Sequence, residues 1–149
     1  MTPVTIRPIH ASDRDAWFPL WAAYQAFYDR PVPKQATDIT WKSLISGGEI
    51  QGFMAFDEQG LALGLTHYLF HASTSRVGGQ CYLSDLFVAP EARGRSVGRK
   101  LIAAVTDAAR AKGAAAVYWQ TEEFNGPARR LYERVAKRSP FIRYQIDLS

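Results

Sequence analysis

An α/β fold, a mixed sheet of about six to seven strands with helices on both faces, is expected from three observations on this chain. Alternating and helical hydrophobic periods are interleaved along it, turn and cap residues separate them, and one apolar strand runs straight into a basic, glycine-bearing loop that opens a helix. At 149 residues the chain reads as one domain, 1–149. A chain of that size buries about two thirds of the surface its unfolded form exposes.

Taken in order, Val4 to Ile9 alternates apolar and polar residues and predicts an edge strand. Ser12 is placed to cap a helix over about 13–29, where Trp17, Leu20, Trp21, Tyr24, Phe27 and Tyr28 recur at helical spacing and Pro31 and Pro33 follow. Asp38 is placed to cap a second helix carrying Trp41, Leu44 and Ile45 and stopped by Gly47-Gly48. Ile50 to Phe56 and Leu61 to Phe70 read as a hairpin around Asp57-Glu58-Gln59-Gly60, and Gln80 to Val88 as a further strand. Val97, Leu101, Ile102, Val105, Ala108 and Ala109 then form one helical face, closed by Lys112 and Gly113. Ala115 to Thr121 predicts a strand, Pro127 to about Lys137 a helix, and Phe141 to Leu148 a last strand. The order is βααβββαβαβ.

Net charge is +4, unevenly spread. Residues 1–75 carry 5 Lys and Arg against 7 Asp and Glu, and residues 76–149 carry 13 against 7, so the halves stand at −2 and +6. A basic half suits a polyanionic ligand, and acidic groups elsewhere suit a cationic one. Cys81 is the single cysteine, which excludes an intrachain disulfide and a cysteine-rich metal site. His10, His67 and His71 show no ligand spacing, and no metal is expected. No apolar stretch approaches the roughly 20 residues of a membrane span, and the start lacks a signal-peptide core, so a cytoplasmic protein without a membrane partner is expected.

The chemistry is concentrated after the strand 80–88. There Arg93, Gly94, Arg95, Ser96, Val97, Gly98, Arg99 and Lys100 join strand to helix. A helix start leaves N–H groups unpaired and carries positive partial charge, so a tight loop leading into it is built to hold phosphate. Gly94 and Gly98 allow positive φ and close approach, and the arginines add full charge. The spacing fits neither a P-loop nor the three-glycine dinucleotide fingerprint. A plain connection with a solvated basic face is the alternative reading.

Arg93-Gly94-Arg95-Ser96-Val97-Gly98 resembles the acetyl-CoA loop of the GCN5-related N-acetyltransferases (GNAT), written Arg/Gln-x-x-Gly-x-Gly/Ala after a strand ending in Val. Ser96 stands where that family usually has its central glycine; its N–H is kept, and a weaker or slightly shifted cofactor contact is expected there. The order of elements resembles the same family over essentially the whole chain. A second segment, Val117 to Tyr132, with Asn125 after a strand and Tyr132 seven residues later on a helix, is similar to the family's second cofactor motif. Within the family, 82–88 and 117–121 are most similar to small acetyltransferases of the yeast histone/polyamine and D-amino-acid type.

The resemblance implies direct acetyl transfer from acetyl-CoA to a primary amine of a small molecule, such as a polyamine or amino acid, without a metal. It implies that Leu86, Phe87 and Val88 pair edge-on with the pantetheine arm, that the Val88 N–H polarises the acetyl carbonyl, and that Gly94, Arg95, Ser96, Val97, Gly98 and Arg99, with Arg93, hold the pyrophosphate. Asn125 and Ala128 would lie on the pantetheine side; as a helix N-cap before Gly126-Pro127, Asn125 is also fully explained. Tyr132 would be the general acid toward sulfur, though it shares a helix face with Ala128, Leu131 and Val135 and so also reads as core.

Attack by an amine with a pKa of about 10.4 requires that a proton be removed. Asp85 is the first candidate, on a strand face expected to be shared with Leu83 and Phe87, either accepting the proton through water, anchoring an ammonium, or forming an ordinary salt bridge. Polyamine-type members often place a glutamate one residue earlier, where this chain has Ser84. Glu122 is the second candidate. Tyr24, Tyr28, Asp29 and Trp119 are the expected acceptor-site residues, the aromatics offering cation–π contact to an ammonium or simply core. Two readings remain beside this one: a protein lysine or N-terminal acetyltransferase, and a non-catalytic CoA- or nucleic-acid-binding module suggested by Arg129, Arg130, Arg134, Lys137 and Arg138. No nucleic-acid motif accompanies those cations, so no nucleic-acid partner is expected. A homodimer is in keeping with the family.

Overall fold

The computed structural model describes residues 3–123 and 125–148. Its sheet has five strands in the order β1 (Thr5–Pro8), β2 (Gln51–Phe56), β3 (Ala62–His71), β4 (Gln80–Val88) and β5 (Val117–Tyr118). The first four pair antiparallel and β5 joins β4 in parallel, so the sheet is mixed as expected. Its helices are α1 (Arg14–Phe27), α2 (Lys34–Ser46), α3 (Val97–Lys112) and α4 (Gly126–Val135). The expected six to seven strands are too many by the last: Phe141–Leu148 makes no sheet pairing and lies exposed. The strand expected over 115–121 shrinks to two residues, because β5 pairs only Val117 with Cys81 and Tyr118 with Tyr82.

Two helix caps differ from expectation. A 3₁₀ turn, Ala11–Asp13, precedes α1, and Asp13 rather than Ser12 occupies the cap position. The Asp13 carboxylate is drawn away from capping by Arg7, whose Nη1 and Nη2 donate to its two oxygens at 2.8 and 2.9 Å, and by the His10 N–H at 2.7 Å. These bonds tie β1 to the start of α1 and hold the Asp13 carboxyl below the usual carboxylate range. The second helix begins four residues before Asp38, directly after Pro33, whose fixed φ suits a helix start. Asp38 therefore sits inside α2 and accepts from Lys34 Nζ one turn back at 2.8 Å.

Both faces of the sheet are covered. On one, Trp17, Trp21 and Tyr24 of α1 pack with Leu63, Leu65 and Phe87. On the other, α3 lies close: a Cβ on Gly64 would meet Leu101 and Val97 side chains at 3.3 Å and the Phe87 carbonyl oxygen at 2.6 Å, so only glycine fits there. Further along α3, Ile102, Val105 and Ala109 pack with Tyr68, Cys81 and Leu83.

A bulge decides which residues of β4 face α1. His67 stands opposite Asp85 and Tyr68 opposite Leu83, which leaves Ser84 as the extra residue. One inserted residue reverses the alternation beyond it. Leu83 therefore belongs to the α3 face, with Tyr68, while Asp85 and Phe87 look toward α1. The expected common face of Leu83, Asp85 and Phe87 is not formed.

Candidate active site

Past Tyr82, β4 continues to Val88 with no partner strand on its β5 side among the described residues, so the sheet splays open there. The backbone on that side is free for a ligand. Leu65 opposite Phe87 and His67 opposite Asp85 continue the phase set by the Ala89 N–H, which donates to the Leu63 oxygen at 2.8 Å. Residues between such pairs turn their amides the other way, so the N–H groups of Leu86 and Val88 face the opening. The Phe87 side chain does not: it is buried against Tyr24, with ring centroids 5.9 Å apart.

The strand leads into the basic loop. Pro90–Ala92 form one 3₁₀ turn, Gly94 has φ +87°, and Ser96 has φ +61° and ψ +24°, the left-handed conformation that glycine adopts most readily. The requirement behind the family's central glycine is thus still present in the backbone, and Ser96 meets it at some strain. Lys100 is the first residue of α3 to donate within the helix, to the Ser96 oxygen at 3.0 Å, leaving the amides of Val97, Gly98 and Arg99 ahead of the ladder. Gly98 does not use a positive φ, contrary to expectation. It is small because a Cβ would lie 3.2 Å from Leu131 and 3.7 Å from Val88, where α4 crosses the start of α3. Arg93 is exposed and its guanidinium lies 5.7 Å from the Phe27 ring centroid at the end of α1. Arg95 is half-buried, and Ser96 and Arg99 are exposed. A strand edge with outward amides, ending at a helix start ringed by arginines, can hold an extended amide-bearing arm with a diphosphate at its end.

Beside the opening, four separate segments meet around Tyr28. Its ring lies edge-on to Tyr24 at 5.1 Å, and its hydroxyl accepts from Asn125 Nδ2 at 3.4 Å. Burial, and then the negative charge of Glu122, push the Tyr28 hydroxyl above its ordinary pKa. Asn125 does stand at the N-cap of α4, yet its side chain makes no capping bond and is turned to Tyr28 instead. Tyr132, half-buried on α4, packs edge-on against Trp119 with centroids 5.4 Å apart. Burial, assisted by Tyr28, pushes its hydroxyl up to about 12. Ala128 lies half-buried in the first turn of the same helix, and Glu122 is exposed just past β5. Asp29 is not drawn in: it is exposed beyond the end of α1 at φ +47°, and among the described residues no hydrogen bond or ion pair of its side chain links it to the cluster.

Asp85 is held by a set of partners that sequence reasoning missed. His67, fully buried on β3, approaches Asp85 Oδ2 with its Nδ1 at 3.0 Å, while its Nε2 lies 3.0 Å from the Trp17 indole nitrogen. An indole N–H can only donate, so Nε2 accepts and the ring proton sits on Nδ1, donating to Asp85. Ser84 Oγ donates to the same carboxylate oxygen at 3.2 Å. Burial of Asp85 pushes its pKa up, but bonding to His67, with Tyr24 and Ser84, outweighs it and holds the carboxyl below the usual range. The only hint in the sequence was a histidine inside the apolar run Leu63 to Leu69, because its partners lie 18 and 50 positions away.

Among the described residues, no three His, Cys, Asp or Glu side chains are grouped to hold a metal ion, and no helix is long and apolar enough to cross a membrane. The model of the Acetyltransferase (GNAT) family matches residues 7–136. The chain is 36% identical over 144 residues to the D-amino-acid N-acetyltransferase HPA3 of Saccharomyces cerevisiae, covering 95% of this chain and 89% of that protein. It is 33% identical over 131 residues to the uncharacterized N-acetyltransferase YhfO of Bacillus subtilis, covering 88% and 87%. A crystal structure of a probable acetyltransferase superposes with a TM-score of 0.86 at 26% identity, covering 97% of this chain and 98% of that one. The aminoglycoside N-acetyltransferase AAC(6')-Iy, solved in complex with CoA, shares the fold with a TM-score of 0.84 at 18% identity, covering 100% and 97%. Loop, splayed strands and ancestry agree: the chain belongs to the Acetyltransferase (GNAT) family and is an N-acetyltransferase whose acetyl donor is acetyl-CoA.

Proposed function

We propose that the protein acetylates the primary amine of a small molecule, of the amino-acid or polyamine kind, and does so in the cytoplasm as a homodimer. The observation that carries the reading of the acceptor site is the convergence of Tyr24, Asp85, Asn125 and Tyr132 around Tyr28, at the side of the opening between β4 and β5. The named activity of the yeast relative, on D-amino acids, supports an acceptor of that size.

When bound, the donor supplies a thioester carbonyl and a thiolate leaving group. The Leu86 and Val88 amides hold the arm along β4, and Val88 N–H faces the developing charge on the carbonyl oxygen. Arg93, Arg95 and Arg99, with the α3 amides, balance the diphosphate. Asp85 is ionised throughout the neutral range, since its carboxyl titrates below the ordinary carboxylate range. That makes it a poor proton acceptor and a good fixed anchor for an ammonium group. Glu122, open to solvent, takes the amine proton through water. Tyr132 retains its proton at neutral pH, as its high pKa requires, and donates toward the departing sulfur. Tyr24, Tyr28 and Trp119 wall the acceptor.

Thiol release from acetyl-CoA, followed over D- and L-amino acids, polyamines and a lysine-rich peptide, tests this reading. Turnover with a free amino acid or polyamine is expected. Turnover with the peptide alone would make the protein a protein acetyltransferase and overturn the small-molecule assignment.

A further inference from the structure

The half of the chain that carries Tyr24 and Tyr28 is acidic, and its cations are few. Residues 1–75 contain Arg7, Arg14, Arg30, Lys34 and Lys42. Arg7 is paired with Asp13, and Arg14 and Lys34 with Asp38. Lys42 stands exposed on α2. Arg30 is exposed two residues past Tyr28, and among the described residues its side chain has no hydrogen bond or ion pair.

The backbone that carries this arginine is fixed on both sides. The Asp29 N–H donates to the Ala26 oxygen at 3.1 Å and the Arg30 N–H to the Gln25 oxygen at 3.0 Å, which closes α1 in a Schellman motif with Asp29 in the left-handed position at φ +47°. Beyond it, the Val32 N–H donates to Gln25 Oε1 at 3.2 Å, and Val32 packs, like Tyr28, against the core under α1. Pro31 and Pro33 restrict the turn further. The charge held there is felt at the acceptor site. Burial, above all, pushes the hydroxyls of Tyr24 and Tyr28 up; the negative charge of Asp85 pushes both further, and the positive charge of Arg30 pulls both back. One anion on the sheet and one cation at the end of α1 thus act on the same pair of phenols.

We propose, resting on the small-molecule reading of the acceptor site, that Arg30 is its carboxylate-binding residue, taking the α-carboxylate of a free amino acid while Asp85 anchors the ammonium. A guanidinium offers a planar fork of N–H donors that meets a carboxylate with two parallel bonds, and here that fork has no partner within the described chain. A zwitterion finds an opposite charge for each of its own. A polyamine finds one anion and a cation that repels it, and a lysine side chain in a peptide has no carboxylate beside its amine. The diphosphate of the donor has its own cations in Arg93, Arg95 and Arg99, at the start of α3.

Steady-state kinetics tests this with D- and L-amino acids, each beside its own α-carboxamide, and with spermidine. The carboxamide keeps the amine and side chain and loses the negative charge. The unmodified protein should favour the acid in kcat/KM by about tenfold or more, although the less basic amine of the amide loses its proton more readily. Arg30→Gln should lower the acid-to-amide ratio by about 10- to 100-fold, through acceptor KM. Arg30→Lys, which keeps the charge without the fork, should fall between the two, and Arg30→Glu should turn the preference toward spermidine. A ratio near one in the unmodified protein overturns the proposal without any variant, as does turnover of spermidine and of no amino acid. A ratio that Arg30→Gln leaves unchanged overturns it too, and a rise in acetyl-CoA KM in that variant would then place the guanidinium on the donor. Thiol release with the lysine-rich peptide alone removes the small-molecule reading and this one together, whereas turnover of amino acids that is indifferent to Arg30 removes only this one.

Discussion

Tyr132 and Asp85 are separated in role by what surrounds them. Burial, assisted by Tyr28, lifts the Tyr132 hydroxyl to about 12, so in the proposed reaction the group would enter as a donor. Tyr132→Phe keeps the packing against Trp119 and removes the proton; kcat should fall by about 10²-fold with acetyl-CoA KM little changed. Unchanged kcat in steady-state assays would return the residue to a packing role. Asp85 is under the opposite influence, because His67 first, and Ser84 with it, hydrogen-bond to the carboxylate and stabilise its charged form. Asp85→Asn should therefore raise acceptor KM by about tenfold or more while leaving the pH dependence of kcat between pH 6 and 9 in place. A kcat profile that loses a limb in this variant would instead make Asp85 the proton acceptor. His67 holds that carboxylate in place, and its tautomer is fixed by Trp17, so the charge proposed to anchor the acceptor is positioned from the core of the sheet.

The strand, loop and helix that run from β4 through Ser96 into α3 show how local geometry sets which residue types can serve. Gly94 and Ser96 both adopt left-handed backbone, but only one of them is glycine. Ser96→Gly should raise stability by about 0.5–1 kcal/mol, read from the urea midpoint, since relief of steric strain exceeds the entropy gained by the unfolded chain. Gly94→Ala should have the opposite sign although a Cβ there would meet nothing within 4 Å, because φ +87° and not crowding is the obstacle. A destabilised Ser96→Gly protein would mean that the serine side chain contributes more than its backbone costs. Of this element, the strand's extent, the loop's charge and the start of α3 were legible in the residues. The bulge at Ser84 was not, since a two-against-one pairing exists only once β3 lies alongside β4.

The molecule as a unit should respond to acid chiefly through Asp13 and Asp85, whose folded pKa values lie below their ordinary ones; that of Asp38 is lowered too, by Lys34, but its exposure lets solvent screen the effect. Their contribution is fully present above the unfolded value of about 3.9 and is lost as pH falls through the lower folded values, where the unfolded chain binds the extra protons. The urea midpoint should thus vary little from these groups between pH 5 and 8 and drop steeply below about pH 4. Asp13→Asn, which severs the tie between β1 and α1, should lower the midpoint near neutrality and flatten that drop. A slope as steep as the unmodified protein's would exclude Asp13 as a source. Acetyl-CoA at 100 times its Kd should stabilise the fold by about 2.7 kcal/mol, a rise in Tm of roughly 5–10 °C. A flat melt at millimolar acetyl-CoA would remove the donor site from the β4–β5 opening.

The order of the helices and of the first five strands, and the basic loop at 93–98, were written in the residues because hydrophobic period, turn chemistry and local charge act over a few neighbouring positions. Acetyl-CoA as donor followed from the resemblance of that loop, and of the segment bearing Asn125 and Tyr132, to the family's two cofactor motifs. Other features needed the folded chain. His67 and Trp17 behind Asp85, Tyr28 as the meeting point of α1, β4 and α4, the start of α2 at Lys34, and the unpaired 141–148 segment all depend on contacts between residues distant in sequence. Strand 141–148 has every local property of a sheet member. Whether it pairs, and with which edge, is a matter of where the rest of the chain leaves an opening.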